Sequence, residues 1–239
     1  MGLGIPGFVD SNSGTARQSA LFRSQSIPFG TMLQEHFPFP VYLDNTANCG
    51  ALSAKWLVAE TREESHIVYV SVNQNFTGMG VGYIIHNELY RGNRDAAGEI
   101  RSFLSPEERD RFVREAKEVC PPDCFLYREF NTDNLLLSEV IIRAGEQDPA
   151  GQLILKRIAE NIAHRLQVLI ELFDPGVVVI GGDICSAQDL IDPVLKTSLT
   201  QKINTSLESN PPILYSPFGT YAVAMGSTVL VFEKYFRSI

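Results

Sequence analysis

The segment Ile67–Ser102, IVYVSVNQNFTGMGVGYIIHNELYRGNRDAAGEIRS, contains the pattern that decides the fold. A run of β-branched and aromatic residues at 67–72 and a second apolar run at 83–85 predict two strands. Between them, the glycine-punctuated stretch Thr77–Gly82 predicts a turn whose backbone N–H groups approach an anion. Asn87-Glu88 predicts a hairpin turn before a third, short strand. The segment is therefore predicted to form a β-meander; taken alone, it is more typical of a hairpin with a tight turn and no ligand.

The composition is that of an acidic globular protein. The chain has 239 residues, 44% of them hydrophobic, which is enough to bury a core in one large domain or two lobes. Its net charge of −8 and pI near 5.1 argue against direct binding of nucleic acid by this chain, because phosphate contacts need a basic surface. No apolar run approaches a membrane span and no signal peptide pattern opens the chain. We expect a cytoplasmic protein with no membrane partner.

The cysteines and histidines indicate no metal centre. The chain has four cysteines, at Cys49, Cys120, Cys124 and Cys185. They form no disulfide framework, so reduced thiols are expected. Cys120 and Cys124 have no nearby histidine or further cysteine to complete a zinc site, and two ordinary cysteines flanking a turn are expected instead. The four histidines are scattered along the sequence.

Periodicity and capping signals predict alternating helices and buried strands in the rest of the chain. Apolar residues at helical spacing predict a long helix over 148–173, and Ser105-Pro106-Glu107-Glu108 predicts a helix start. The apolar run 177–180 predicts a strand buried on both faces. Further helices are expected at 29–36, 45–60, 132–144, 187–207 and 221–236, and further strands at 41–43 and 213–215. This alternation predicts an α/β fold, with Trp56 expected to pack inside it.

Five motifs, in their order and spacing, resemble those of the ROK family of sugar kinases and sugar-responsive repressors. They are LGIPGFVD at 3–10, VYLDNTAN at 41–48, the meander, VVVIGGD at 177–183 and AMGS at 224–227. The resemblance implies an actin-like ATPase fold, which is ribonuclease H-like. It also implies that residues 1–60 are the remnant of an incomplete N-terminal lobe and that 61–239 form the C-terminal lobe. The family's DxGGT-like phosphate-binding hairpin and any winged helix-turn-helix are absent from this chain.

Departures from the family's motifs argue against catalysis. Thr46 stands where the resemblance implies the general-base aspartate, and a threonine hydroxyl cannot accept the proton at pH 7. Asp44 is a carboxylate two residues away, but its side chain is expected to point elsewhere. Ser102 replaces a histidine of the family's zinc site, and Phe76 replaces the first glycine of its phosphate loop. That loop persists only as Thr77, Gly78 and Gly80, so neither a metal nor a nucleotide cofactor is expected.

A sugar site is nevertheless implied by the resemblance. Asn45 matches an asparagine that bonds a sugar hydroxyl, although it is equally suited to act only as a helix cap. Glu99 matches a glutamate that accepts hydrogen bonds from sugar hydroxyls, although it is also compatible with an exposed turn. Thr46 is the third residue of this implied effector site, while Ala20 stands where a sugar-contacting asparagine is expected. Gly181-Gly182 matches a nucleotide-side turn, or is simply a tight strand exit.

The function predicted from the sequence is the effector-binding and dimerisation domain of a ROK-type transcriptional regulator. It is non-catalytic, binds a sugar or sugar derivative, forms a homodimer and reaches DNA only through a domain outside this chain. An ATP-dependent sugar kinase that uses Asp44 or another carboxylate as base is the alternative. A vestigial protein that binds no small molecule is a third hypothesis.

Overall fold

The computed structural model describes residues 1–19, 25–72, 79–100, 105–121, 136–202 and 210–236. The strands are β1 Gly2–Ile5, β2 Phe8–Asp10, β3 Thr15–Gln18, β4 Gln25–Ile27, β5 Tyr42–Asn45, β6 Ile67–Val72, β7 Met79–Ile85, β8 Glu88–Tyr90, β9 Glu99–Ile100, β10 Val177–Gly181 and β11 Ile213–Tyr215. The helices are α1 Phe29–Gln34, α2 Thr46–Leu57, α3 Pro106–Val119, α4 Leu137–Gly145, α5 Pro149–Phe173, α6 Gln188–Lys202 and α7 Ala222–Phe236. Short 3-10 turns lie at 59–61, 183–187 and 219–221.

The central sheet has the order β11–β10–β6–β7–β8. Strand β9 also pairs with β7 but is not part of this linear order. Strands β6, β10 and β11 are parallel to one another, while β7 is antiparallel to β6, β8 and β9. The predicted β-meander is confirmed as β6–β7–β8. Strand β10 is buried along its whole length, as its continuous apolar run predicts.

Both predicted turns of the meander differ from the structure. Gly80 and Gly82 lie inside β7 and not in a turn, because their backbones pair along β6. The hairpin turn falls at His86-Asn87, one residue earlier than predicted, and Glu88 already belongs to β8. His86 and Asn87 have φ of 53° and 64°, the left-handed pair that a two-residue hairpin requires.

Helices cover both faces of the central sheet. One face packs against α3, α4, α5 and α6 in the larger apolar core, and the other packs against α2 and α7. Helix α3 begins at the predicted capping box, in which Ser105 and Glu108 bond reciprocally. Helix α5 starts after the Asp148 cap and ends where Asp174 adopts φ 43°. Residues 132–135 and 203–207 of two predicted helices lie outside the described residues.

A second strand layer lies beyond α2 and α7. Strands β1 and β5 pair in parallel, and β2, β3 and β4 form a small antiparallel sheet around a core of Ile5, Val9, Ala16 and Leu43. Sequence reasoning predicted only a helix within the polar stretch 11–40 and missed β3 and β4. Helix α7 contacts β1 and β5 as well as α2, so the C-terminal helix packs against the N-terminal layer. A division of the chain at residue 60 stays a prediction.

Two predictions about single residues are wrong. Trp56 does not pack inside: it is 50% exposed, and its Nε1 donates to Glu233 at 2.9 Å. Cys120 is disulfide-bonded, contrary to the expectation of reduced thiols, whereas Cys49 and Cys185 are free. Within the described ranges, no helix is both long and apolar enough to cross a membrane.

Candidate effector site

The candidate site lies at the carboxyl ends of the parallel strands β6 and β10. Gly181 pairs with Ser71, Ser71 pairs with Gly80, and Gly80 pairs with Glu99, so these four residues form one row across the sheet. Three strand spacings separate Gly181 from Glu99, a distance of about 14 Å. Glu99, predicted to contact a sugar, and Gly181, predicted to face a nucleotide, therefore lie at the same end of the sheet. Ligands bind at this end in open α/β sheets.

Asn45 connects three segments of the chain near this end of the sheet: the turn at Gly7, the start of α2 and Glu99. It is the N-cap of α2, where its Oδ1 accepts from the backbone N–H of Ala47 at 2.6 Å and of Asn48 at 3.4 Å. Its Nδ2 donates to the carbonyl oxygen of Gly7 at 2.8 Å and to Oε1 of Glu99. The predicted cap is thus present, and both amide hydrogens already have acceptors. A direct sugar contact by Asn45 stays a prediction.

Glu99 is held beside the N-terminus of α2 by the chain geometry around it. Gly98 has φ 81°, and a Cβ there would lie 1.8 Å from the carbonyl oxygen of Val81, so a side chain at this position is excluded. Val81 N–H donates to the Gly98 carbonyl at 3.0 Å, which fixes the start of β9. Glu99 is half-buried as a residue. A fixed backbone therefore holds this partly exposed residue beside the helix.

The glycines of β7 allow α2 to approach the sheet. A Cβ on Gly80 would lie 3.0 Å from the Ala47 Cβ, and one on Gly82 would lie 2.4 Å from the Ala47 carbonyl oxygen. Close packing of the first turn of α2 explains both glycines without a phosphate. Of the other motif residues, Thr77, Gly78, Phe76, Ala20 and Ser102 lie outside the described residues.

The carboxylate of Asp44 is buried in an ion pair. Its Oδ2 lies 2.7 Å from Arg91 Nη2 and accepts a hydrogen bond from Arg91 Nε at 2.9 Å. Its Oδ1 accepts from Asn48 Nδ2 at 2.7 Å and from the Asn45 N–H at 2.8 Å. The side chain is 1% exposed, so it has no access to a substrate hydroxyl. Thr46, the first residue of α2, is half-buried. Arg91 was not among the residues predicted from the sequence, because nothing in the local sequence indicates its pairing with Asp44.

The Gly181-Gly182 turn is explained by local packing. A Cβ on Gly181 would lie 1.9 Å from Oη of Tyr69, whose ring fills the space beneath the end of β10. Gly182 has φ 86° and ψ −165°, a conformation that is essentially restricted to glycine. Burial raises the pKa of the Tyr69 hydroxyl above its usual range, so it stays protonated. A nucleotide-side role for this turn stays a prediction.

Two cavities in the described part of the chain lie away from this edge of the sheet. Two surface cavities have volumes of about 350 and 470 Å³, between α3 and α5 and between α1 and β5. Neither is lined by Asn45 or Glu99. Over the same described ranges, no three His, Cys, Asp or Glu side chains group closely enough to hold a metal ion.

This architecture is the actin-like ATPase fold. A ROK family glucokinase from Streptomyces griseus, solved with glucose and AMPPNP, superposes with a TM-score of 0.78 at 20% identity, covering 96% of this chain and 80% of that one. The model of the ROK family matches residues 1–106 and 113–234, so the chain belongs to the ROK family.

Relatives with curated names include both regulators and kinases. The xylose repressor of Caldicellulosiruptor bescii is 27% identical over 97% of this chain. The glucokinase of Thermotoga maritima is 24% identical over 98% of this chain and 79% of its own length. The chain spans 62% of the length of the C. bescii repressor.

Proposed function

We propose that this chain is the effector-binding and dimerisation domain of a ROK-type transcriptional regulator, non-catalytic, whose effector is a sugar or sugar derivative. One observation carries the proposal: Asn45 holds the Glu99 carboxylate beside the N-terminus of α2, and Glu99 as a whole residue is only half-buried. An ionised carboxylate accepts hydrogen bonds from vicinal hydroxyls, and the adjacent helix terminus supplies backbone dipoles that favour its charge. This arrangement suits a polyhydroxylated ligand.

The chemistry of the neighbouring residues supports a binding role over phosphoryl transfer. A sugar kinase needs a carboxylate that can take the proton of the attacking hydroxyl. The carboxylate of Asp44 accepts three hydrogen bonds, forms an ion pair with Arg91 and is 1% exposed, and the residue at the family's base position is Thr46. Acting as a base would require Asp44 to break a buried ion pair, which is strongly unfavourable.

The regulator assignment draws on the xylose repressor relative. In this proposal the chain works as a homodimer in the cytoplasm, and effector binding shifts a conformational equilibrium that is read by DNA-binding domains outside residues 1–239. The net charge of −8 is consistent with DNA contacts that are made by a domain outside residues 1–239. Sedimentation velocity tests the dimer: a two-chain species at micromolar concentration is expected, and a strict monomer would contradict this part.

A thermal-shift screen tests the binding function. The panel contains xylose, glucose, N-acetylglucosamine, their phosphates, and ATP with magnesium. At least one sugar is expected to raise the melting temperature of the wild-type chain, since a ligand that binds only the native state stabilises it. Glu99→Ala should lose that shift, and ATP–magnesium should give none. If no compound in the panel raises the melting temperature, the hypothesis of a vestigial protein that binds no small molecule is favoured.

The glucokinase relative makes an ATP-dependent sugar kinase the second candidate. A coupled assay for ADP release with the same sugars separates the two functions. The proposal expects no turnover above the ATP-only background. Sustained turnover that depends on sugar would overturn the non-catalytic assignment even if Glu99 proved to bind the sugar.

A further inference from the structure

Two consecutive residues at the end of β5 hold the two ends of one loop. Asp44 binds the Arg91 guanidinium at the start of the segment 91–99, and Asn45 binds the Glu99 carboxylate at its end. The two contacts use different side-chain chemistry, an ion pair and an amide–carboxylate hydrogen bond. The same strand terminus therefore contacts both ends of the segment that leads to Glu99.

The segment between the two contacts is closed by its own backbone. Ala97 N–H donates to the Arg91 carbonyl at 3.1 Å, and Glu99 N–H donates to the Ala96 carbonyl at 3.4 Å. Gly92 has φ 76°, and a Cβ there would approach the Ala97 Cβ to 3.1 Å. The loop therefore folds back on Arg91, and a movement of Arg91 would be transmitted to the residues immediately before Glu99.

We propose that Arg91 is a positioning residue: its ion pair with Asp44 fixes the 91–99 loop so that Glu99 meets Asn45 and presents its carboxylate to the effector. The inference rests on the proposed function for the identity of the ligand, but the loop-fixing step does not. The Arg91 side chain is 23% exposed and Asp44 is 1% exposed, so the pair is only weakly screened by solvent. Lysine, a point charge without a fork of donors, is an imperfect substitute for Arg91.

Hydrogen exchange of the ligand-free chain tests the positioning step. In Arg91→Met, the amides of residues 91–100 are expected to exchange about tenfold faster, while those of α5 stay protected. Arg91→Lys should give an intermediate effect. Arg143→Met is the matched control, because Arg143 makes ion pairs with Glu139 and Glu146 at the surface. Unchanged exchange over 91–100, or a rise of equal size in α5, would overturn the proposal.

Asp44→Asn provides a second variant if Arg91→Met does not fold. It keeps the side-chain shape but removes the charge that pairs with Arg91, and the same local rise in exchange is expected. Unchanged exchange over 91–100 in this variant would also overturn the proposal.

A double-mutant cycle on sugar affinity tests whether Arg91 acts through Glu99. Arg91→Lys should weaken binding about tenfold in the wild-type background and by much less in a Glu99→Gln background. Equal losses in both backgrounds would show that Arg91 does not act through Glu99. If the wild-type chain binds no sugar while the exchange result holds, the proposed function fails and the positioning of the loop stands.

Discussion

The side-chain amide of Asn45 donates a hydrogen bond to the carboxylate of Glu99, 54 residues further along the chain. The same amide group donates to the Gly7 carbonyl, and its oxygen caps α2. One side chain therefore joins the turn after β1, the start of α2 and the start of β9. This junction places Glu99 at a helix N-terminus, and it gives Asn45 a role in the stability of the fold.

Replacing Asn45 by alanine is predicted to destabilise the fold by about 2–3 kcal/mol, because it removes an N-cap and the two hydrogen bonds that the Asn45 amide donates to Glu99 and to the Gly7 carbonyl. Urea denaturation at pH 7 measures this change. Asn45→Asp is the informative companion, since aspartate also caps helices but places a second carboxylate against Glu99.

The Asn45→Asp variant should be less stable than wild type at pH 7, and the difference should shrink toward pH 4.5. Two facing carboxylates raise the pKa of the pair, so their repulsion is present above that raised pKa and is lost on protonation. A difference that does not change with pH would contradict the contact between positions 45 and 99.

Gly50 and Gly181 are predicted to tolerate no side chain, because Tyr69 occupies the space. A Cβ on Gly50 would lie 2.1 Å from the Tyr69 ring. Gly50→Ala should destabilise by about 1–3 kcal/mol through overpacking, and Tyr69→Leu should relieve most of that added cost in the double variant. Gly145→Ala is the control, since nothing lies within 4 Å of its added Cβ. Thermal unfolding that ranks Gly145→Ala with Gly50→Ala would refute the packing argument.

Lys55 is predicted to be a structural lysine. The whole Lys55 residue is only 6% exposed. Its ammonium group donates to the carbonyls of Arg62 and Glu64 and to Asn87 Oδ1, at 2.7 to 2.8 Å. Lys55→Met leaves these oxygens without their donor and should cost about 2–4 kcal/mol in urea unfolding. Lys156→Met, which removes an exposed pair with Glu160, should stay within about 0.5 kcal/mol. Equal effects would contradict this role.

Asp10 is predicted to titrate far below its ordinary pKa. Hydrogen bonding to Arg17, supported by the backbone N–H of Ser13, lowers the pKa of its carboxyl from 3.8 to about 2. The contribution of Asp10 to stability is therefore complete above pH 3.8 and is lost as the pH falls through 2. A carboxyl-carbon NMR titration should give a midpoint near 2, and Arg17→Met should move it upward. A wild-type midpoint near 4 would contradict the contact.

Strong local signals made much of the fold predictable. Helix α5 has apolar residues at helical spacing between Asp148 and Asp174, and α3 has a complete capping box at Ser105. The apolar run of β10 is long enough to identify a strand buried on both faces. In each case the local preference and the tertiary environment favour the same structure, which is why sequence reasoning succeeded.

The features that the sequence did not reveal depend on contacts between distant segments. Gly80 and Gly82 resemble turn glycines until α2 is seen packing on them, and β3 and β4 are too short and polar to give a periodic signal. No spacing rule joins Asp44 to Arg91 or Lys55 to Asn87. Trp56 lies on an exposed part of α2, although a lone tryptophan is usually expected inside.

Calorimetric titration of the wild-type chain and two glutamate variants with the sugar panel tests the central claim most directly. The account predicts that at least one sugar binds, that Glu99→Gln weakens it by at least about tenfold, and that Glu146→Gln, an exposed control, leaves it unchanged. Binding that survives Glu99→Gln at full strength would contradict the assignment of Glu99. No binding by the wild-type chain would contradict the effector function itself.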